Sequence, residues 1–343
     1  MHSQSLVDIA RTLVGTGKGL LAIDESTTTC DKRFEKLGIP QTVAARRAYR
    51  ELIITTAGLG EDISGVILYD ETIRQDQEDG TSFLECLSDA GIVAGIKVDG
   101  GAKDLAGYSG EKVTEGLDGL RDRLEEYFRM GARFAKWRAV IAIDDQRPSR
   151  GCIEANAHAL ARYAALAQEA GLVPVVEPEV LMDGDHTLER CREVTVLCLR
   201  TVFEQLRSQS VMLEGMILKP NMVLPGLTCP QQESVDAIAS ATVKCLLEVV
   251  PAAVPGIAFL SGGQSGELAS ARLNAMHVNA KTGASPLPWA LTFSFGRAIQ
   301  QPALGIWGGR DSHRSVAQQA LLHRAQCNRA ALQGEYSAEM ERN

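Results

Sequence analysis

The sequence predicts an α/β protein with the (β/α)8 TIM-barrel fold, and three observations carry the prediction. Eight short apolar runs recur along the chain. Amphipathic helical patterns separate them, as at 153–170, 188–207 and 232–249. Nearly every run ends in a charged or polar residue, or in Gly. Strands that alternate with helices pair in parallel, because a helix must carry the chain back before the next strand starts. Eight such units favour a closed barrel over an open doubly wound sheet. In a barrel all eight strand ends arrive at one face, where active sites of this fold sit.

The first run, LLAID at 20–24, ends on Asp24, with Ser26 just beyond it. VILYD at 66–70 ends on Asp70, and AGIKV at 94–98 carries Lys97. FAKWR at 134–138 places Lys136 and Arg138 two residues apart, so they share one side of the strand and Trp137 takes the other. VPVVEPE at 173–179 does the same with Glu177 and Glu179 around Pro178. Basic residues on the fourth strand and acidic residues on the fifth can form one polar layer. Such groups are costly to bury unless they pair with each other or with a ligand. MILKPN at 216–221 brings Lys219 to the end of the sixth strand. IAFLSGG at 257–263 runs into LSGGQSG, ahead of the helical stretch ELASARLNAM. ALTFSFG at 290–296 leads through SFGRA to Arg297.

These strand ends suit chemistry on an anionic carbonyl compound. An amine nucleophile must shed its proton, which desolvation or a neighbouring cation such as Lys136 favours. Glu177 and Glu179 supply carboxylates for the proton transfers of carbinolamine dehydration, and Asp24 adds a third. Consecutive glycines let backbone N–H groups approach an anion, and a helix N-terminus favours negative charge. Barrel enzymes often bind phosphate at the loops after strands seven and eight. Lys97, Arg138 and Ser26 offer a second anion site across from the first. Two such sites flanking a lysine fit a sugar phosphorylated at both ends.

Bulk properties narrow the class. The 343 residues are 45% hydrophobic and 23% charged, enough for a core of ordinary size. One domain is expected over 1–343, closing with a short helical tail from about 311 to 343 in which 315–333 reads as a surface or interface helix without an evident catalytic residue. The formal net charge of −8, with no basic block, argues against nucleic acid as a partner. Eight scattered cysteines without a C-x-x-C pair indicate free thiols in a reducing compartment. The amino terminus shows no leader pattern, and no apolar stretch reaches membrane-spanning length. A soluble cytoplasmic protein is the expectation. GTGKG at 15–19 precedes a strand and lacks the Ser or Thr of a phosphate loop, so it reads as a turn. The six histidines do not cluster at metal-ligand spacing, and DGDH at 183–186 reads as an ordinary turn, so no metal is expected.

The motifs LLAIDEST (20–27), GIKVD (95–99), FAKWR (134–138), VVEPEVLMDGDH (175–186), LKPNMVLPG (218–226), FLSGGQS (259–265) and PWALTFSFGRA (288–298) resemble those of the class I fructose-bisphosphate aldolases. The resemblance runs from about residue 5 to about residue 340. It implies that Lys219 forms the Schiff base. It makes Glu177 the acid–base group of dehydration with Glu179 close by, Lys136 its charged partner, and Asp24 the aspartate of C–C cleavage. Ser261, Gly262, Gly296 and Arg297 match the site for the phosphate on the ketone half. Ser26, Lys97 and Arg138, joined by Arg33, match the site for the other phosphate. The implied reaction is reversible cleavage of fructose 1,6-bisphosphate into dihydroxyacetone phosphate and glyceraldehyde 3-phosphate. The protonated imine is the electron sink, so no cofactor is required. Relatives are usually homotetramers.

Three departures stand out. Thr29 occupies a position where many relatives have serine, and its hydroxyl can still donate. HVNAKTGASP at 277–286 looks longer than its animal counterpart. Animal and plant relatives carry a longer tail whose terminal tyrosine assists proton exchange at the carbanion, and Tyr336 does not match it by context. Water or a pocket carboxylate is expected to take that role. The competing expectations are the same chemistry mainly on sedoheptulose 1,7-bisphosphate, and a non-catalytic binding protein on the same fold. Intact Lys219, Glu177, Lys136 and Asp24 speak against the second.

Overall fold

The computed structural model describes residues 2–15, 17–282 and 286–342. Eight parallel strands close into a barrel: β1 (Gly19–Ala22), β2 (Ile63–Leu68), β3 (Val93–Lys97), β4 (Phe134–Ile141), β5 (Val173–Val180), β6 (Ile217–Leu218), β7 (Gly256–Phe259) and β8 (Ala290–Phe295). Each strand pairs with its neighbour in sequence, and β8 closes on β1 through Leu20 opposite Ser294. All eight expected runs are therefore strands, with shifted limits. β6 is the shortest, yet its ladder continues past Leu218, because the Lys219 N–H donates to the Val176 carbonyl at 2.8 Å.

Helices cover the barrel: α1 (His2–Val14), α2 (Thr27–Glu35), α3 (Val43–Ile54), α4 (Asp70–Ile73), α5 (Phe83–Asp89), α6 (Leu120–Met130), α7 (Arg150–Glu169), α8 (Leu188–Ser208), α9 (Val235–Val249), α10 (Gly266–Thr282), α11 (Arg297–Trp307) and α12 (Arg314–Gln333). Most begin at a side-chain cap. Ser26, Thr42, Ser82, Ser149, Thr187, Ser234 and Ser265 each accept from an N–H three residues on, which satisfies one of the otherwise orphaned first-turn donors. α12 is more than a surface helix. It buries Ala317, Leu321, Ala325 and Ala331 and packs against α10 and α11.

The lower half of the barrel interior is apolar. Leu20, Ile67, Phe134, Val173 and Ile217 gather there with Leu6, Ala10, Leu13 and Val14 of α1, which plugs the N-terminal mouth. Two glycines make the room. A Cβ on Gly95 would sit 2.3 Å from the Phe134 ring, and one on Gly256 would sit 2.5 Å from Val14. Gly256→Ala is therefore expected to push α1 outward and cost about 1–3 kcal/mol of stability, as overpacked cores do. Urea unfolding checks this, and an unchanged midpoint would mean that α1 yields freely.

Two details differ from the sequence reading. Asp70 is not a barrel-mouth group. It opens α4, accepts from Tyr127 Oη at 2.9 Å and pairs with Arg74 at 2.9 Å. An antiparallel hairpin, Ala102–Asp104 with Lys112–Thr114, follows β3 and was not legible. Its first strand is exposed throughout, so it carries no apolar alternation. Of the long segment 277–286, α10 takes the part up to Thr282, and residues 283–285 lie outside the described residues. The GTGKG stretch leads into β1 as expected, with Gly17 at φ +67° and residue 16 outside the described residues.

Candidate active site

The upper half of the barrel is polar because the side chains that alternate inward there are charged. Lys97 and Lys136 are register partners on β3 and β4, and Arg138 lies opposite Glu177 on β5. The inward set meets in a cleft of about 580 Å³ at the C-terminal mouth, which takes in all fourteen candidate residues from Asp24 to Arg297. Trp137 points the other way, stacked on Tyr163 with ring centroids 5.6 Å apart.

Lys219, Lys136 and Glu177 are each 3% exposed. Lys219 Nζ lies 3.3 Å from Glu177 Oε1. Lys136 Nζ lies 2.6 Å from Asp24 Oδ2, 3.5 Å from Glu177 Oε2 and 4.0 Å from Asp99 Oδ2. The Lys136–Glu177 contact is ionic without being a hydrogen bond, for Glu177 Oε2 has no hydrogen-bond partner. Burial works against the Lys136 charge, but Asp24, Glu177 and Asp99 outweigh it and hold the ammonium well above the ordinary lysine range. Burial likewise acts to raise Asp24, and Lys136, Lys219 and Lys97 overcome it, leaving that carboxyl lowered to about 2. The two lysines thus differ. Lys136 is locked as a cation among three carboxylates, whereas Lys219 faces one.

The turn after β6 sets Lys219 in place. Asn221 Oδ1 accepts from Val180 N at 3.0 Å, while its Nδ2 donates to Thr195 Oγ1 at 3.2 Å and to the Met222 carbonyl at 3.0 Å. These bonds tie that turn to β5 and α8. Glu179 is salt-bridged to Arg138, whose guanidinium is exposed to the cleft; partial desolvation works against its charge, and the carboxylate outweighs it.

The two candidate anion sites differ in how far their cations are already neutralised. On the β7–β8 side, Gly262 and Gly263 adopt φ of +58° and +95°, the left-handed region that favours Gly. Arg297 approaches that loop, its Nη2 3.5 Å from where a Gly263 Cβ would stand, and it forms no ion pair among the described residues. On the other side, Lys97 pairs with Asp99 at 2.9 Å and Arg33 with Glu25 at 2.5 Å. Ser26 and Thr29 share a hydroxyl contact of 3.1 Å at the start of α2.

Several lining residues were missed. Asp99 is two residues past Lys97, so strand alternation within GIKVD was the available signal; it bridges both lysines of the register pair. Ser294 is 1% exposed with its hydroxyl unpartnered, two residues before Gly296 on the same side of β8. Lys32 and Lys36 join Thr29 and Arg33 at helical i, i+3, i+4, i+7 spacing along α2. In all, eight cationic side chains against five carboxylates line the cleft, although the whole chain carries −8. Tyr336, by contrast, does not line it; its hydroxyl donates to Glu341 at 2.8 Å.

A buried amine beside a carboxylate, in a cation-rich mouth of a barrel, is an arrangement suited to imine chemistry on an anionic carbonyl compound. The family model for class I fructose-bisphosphate aldolase, of the glycolytic type, matches residues 5–343. A probable fructose-bisphosphate aldolase class 1 from Xanthomonas campestris is 56% identical over 98% of this chain and 99% of its own length. Fructose-bisphosphate aldolase B of Gallus gallus is 47% identical over 98% of this chain and 91% of its own. The solved structure of the Plasmodium falciparum aldolase, in complex with TRAP and a small-molecule inhibitor, superimposes with a TM-score of 0.95 at 45% identity, covering 98% of this chain and 96% of that one. The chain belongs to the class I fructose-bisphosphate aldolase family and is a lyase of that class. No helix among the described residues is long and apolar enough to cross a membrane.

Proposed function

We propose that this cleft cleaves fructose 1,6-bisphosphate reversibly into dihydroxyacetone phosphate and glyceraldehyde 3-phosphate, with Lys219 as the nucleophile. The observation that carries the assignment is the contrast between the two buried lysines. Lys136 is enclosed by three carboxylates, and Lys219 contacts Glu177 alone at 3.3 Å.

The Lys219 amine adds to the C2 carbonyl. Glu177 takes the proton that Lys219 sheds before attack and returns it to the carbinolamine oxygen, and water leaves as the protonated imine forms. Asp24 then takes the proton of the C4 hydroxyl. The C3–C4 bond breaks, its electron pair moves into the imine to give an enamine, and the aldehyde departs. Protonation at C3 and hydrolysis return dihydroxyacetone phosphate and free Lys219. Water or one of the cleft carboxylates supplies that C3 proton. Lys136 stays charged throughout and keeps Asp24 ionised until it acts as the base. Ser261, Gly262, Gly296 and Arg297 take the phosphate on the ketone half. Ser26, Lys97 and Arg138 take the other, with Thr29 and Arg33 beside them, after Arg138 is released from Glu179. The family resemblance extends this reading to a single-domain protomer working as a cytoplasmic homotetramer.

The test is borohydride trapping with dihydroxyacetone phosphate in the presence of chelator, followed by peptide mass mapping. A stable adduct on the peptide holding Lys219 is the expected result. An adduct on Lys136, or none in folded protein, overturns the assignment.

A further inference from the structure

Outside the cleft, one set of side chains among the described residues is placed to hold a metal ion. His323 and Cys327 are one turn apart on α12, an i, i+4 pair on one helix face. The tail segment Ala338–Arg342 folds back and brings Glu341 against them. One ligand atom from each of the three residues lies within 4.8 Å of the other two. His323 Nε2 is 3.6 Å from Cys327 Sγ. In a tetrahedral zinc site, Zn–S of about 2.3 Å and Zn–N of about 2.0–2.1 Å require an N-to-S edge of about 3.5 Å. The helix therefore already spaces the pair as two ligands of one ion. A search for histidine clusters in the sequence cannot find this set. It holds one histidine, and its third member is fourteen residues from Cys327 in a segment that only the fold returns to α12.

The donor types and their access suit a bound cation once Arg324 yields part of its hold on Glu341. Tyr336 Oη donates to Glu341 Oε1 at 2.8 Å and holds the carboxylate beside the pair, while Arg324 donates to both of its oxygens and must release one to a metal. Outer partners of this kind orient ligands in metal sites. Cys327 is buried, while His323 and Glu341 are half-buried and leave a way in from solvent. A nitrogen, sulfur and oxygen donor set suits zinc, whereas magnesium and calcium prefer oxygen alone.

We propose that His323, Cys327 and Glu341 form a Zn²⁺ site that clips the C-terminal tail onto α12, with solvent in the fourth position. On binding, the Cys327 thiol passes its proton to solvent, neutral His323 offers the Nε2 lone pair, and one Glu341 oxygen turns from Arg324 to the metal. Thiolate and carboxylate together balance the two positive charges of the ion. Arg324 and Glu341 also line a second cavity of about 550 Å³ that includes Gly263 and Arg297. The clip thus adjoins the phosphate loop, and recruiting Glu341 loosens its hold on Arg324 there.

The test reads metal binding and is independent of turnover. Full-length, reduced, metal-free protein is titrated with Co²⁺ and then Zn²⁺. One equivalent of Co²⁺ is expected to give a thiolate-to-cobalt charge-transfer band that Zn²⁺ abolishes. Cys327→Ser should remove the band. His323→Ala and Glu341→Gln should each weaken Zn²⁺ binding by about tenfold or more by calorimetry. His323 is half-buried, so its variant is informative even where Cys327→Ser disturbs packing. Absence of the band with Co²⁺ in excess overturns the site. So does a band that survives Cys327→Ser, or a Zn²⁺ affinity unchanged in both His323→Ala and Glu341→Gln.

Discussion

Lys219→Met is expected to reduce turnover by about 100,000-fold, equivalent to ~7 kcal/mol of lost transition-state stabilisation. The reason is chemical. Without the amine there is no imine, and without the imine the electron pair of the breaking C–C bond has nowhere to go. The loss should fall almost wholly on kcat. The phosphate loop at Ser261–Gly263, Arg297 and the cations across the cleft remain in place, so affinity for a sugar bisphosphate should change by a few-fold only. Methionine matches the lysine stem, and the neighbouring bonds of Asn221 to Val180 and Thr195 do not involve it. Borohydride labelling should disappear with activity. A variant that keeps more than about a hundredth of the wild-type kcat would show that another amine carries the chemistry.

Lys136→Met is expected to cost about 1,000-fold in kcat, or ~4 kcal/mol, and to destabilise the fold in a pH-dependent way. Lys136 touches Asp24, Glu177 and Asp99, so its removal leaves three buried carboxylates facing one another. The sign follows from Asp24. Its folded-state value is lowered to about 2 from 3.8, so its ionised form contributes stability that is complete above pH 4 and is lost as pH falls through 2. The shift, which already includes the opposing effect of burial, is equivalent to roughly 2 kcal/mol. With Lys136 gone, Asp24 loses its largest favourable partner. Urea unfolding should therefore show the variant weaker by about 2 kcal/mol at pH 7, with the gap closing as pH is lowered from 4 towards 2. A gap that stays constant across that range would mean that Lys136 acts through packing alone.

Much of this architecture is legible in the residues because its physics is local. Each barrel strand is a short run buried on both faces, and β5 is buried at all eight positions. That pattern is visible without tertiary information. Strand alternation put Lys136 with Arg138 and Glu177 with Glu179, and the fold places both pairs in the cleft. The same rule, carried one step further along GIKVD and SFG, would have added Asp99 and Ser294. The misreadings have equally physical causes. Asp70 follows an apolar run like the others, but the chain turns into α4 there and Arg74 and Tyr127 claim its carboxylate. The exposed hairpin after β3 carries no burial signal to read.

Residue order alone sets the eight-fold alternation, the polar strand ends and the glycine loops. These depend on near neighbours: side-chain alternation along a strand, caps at helix starts and the positive φ that glycine allows. How the charges are shared is settled only once the barrel has closed. The Lys136–Asp24 pair spans 112 residues and the Lys219–Glu177 pair 42, and Coulomb energy depends on distance through space and on burial, neither of which a linear pattern contains. Closure of the barrel brings those groups within 4 Å of one another at buried positions. That step sets Lys136 among three carboxylates and Lys219 beside one. The same kind of closure, through α12 and the tail, sets Glu341 beside His323 and Cys327.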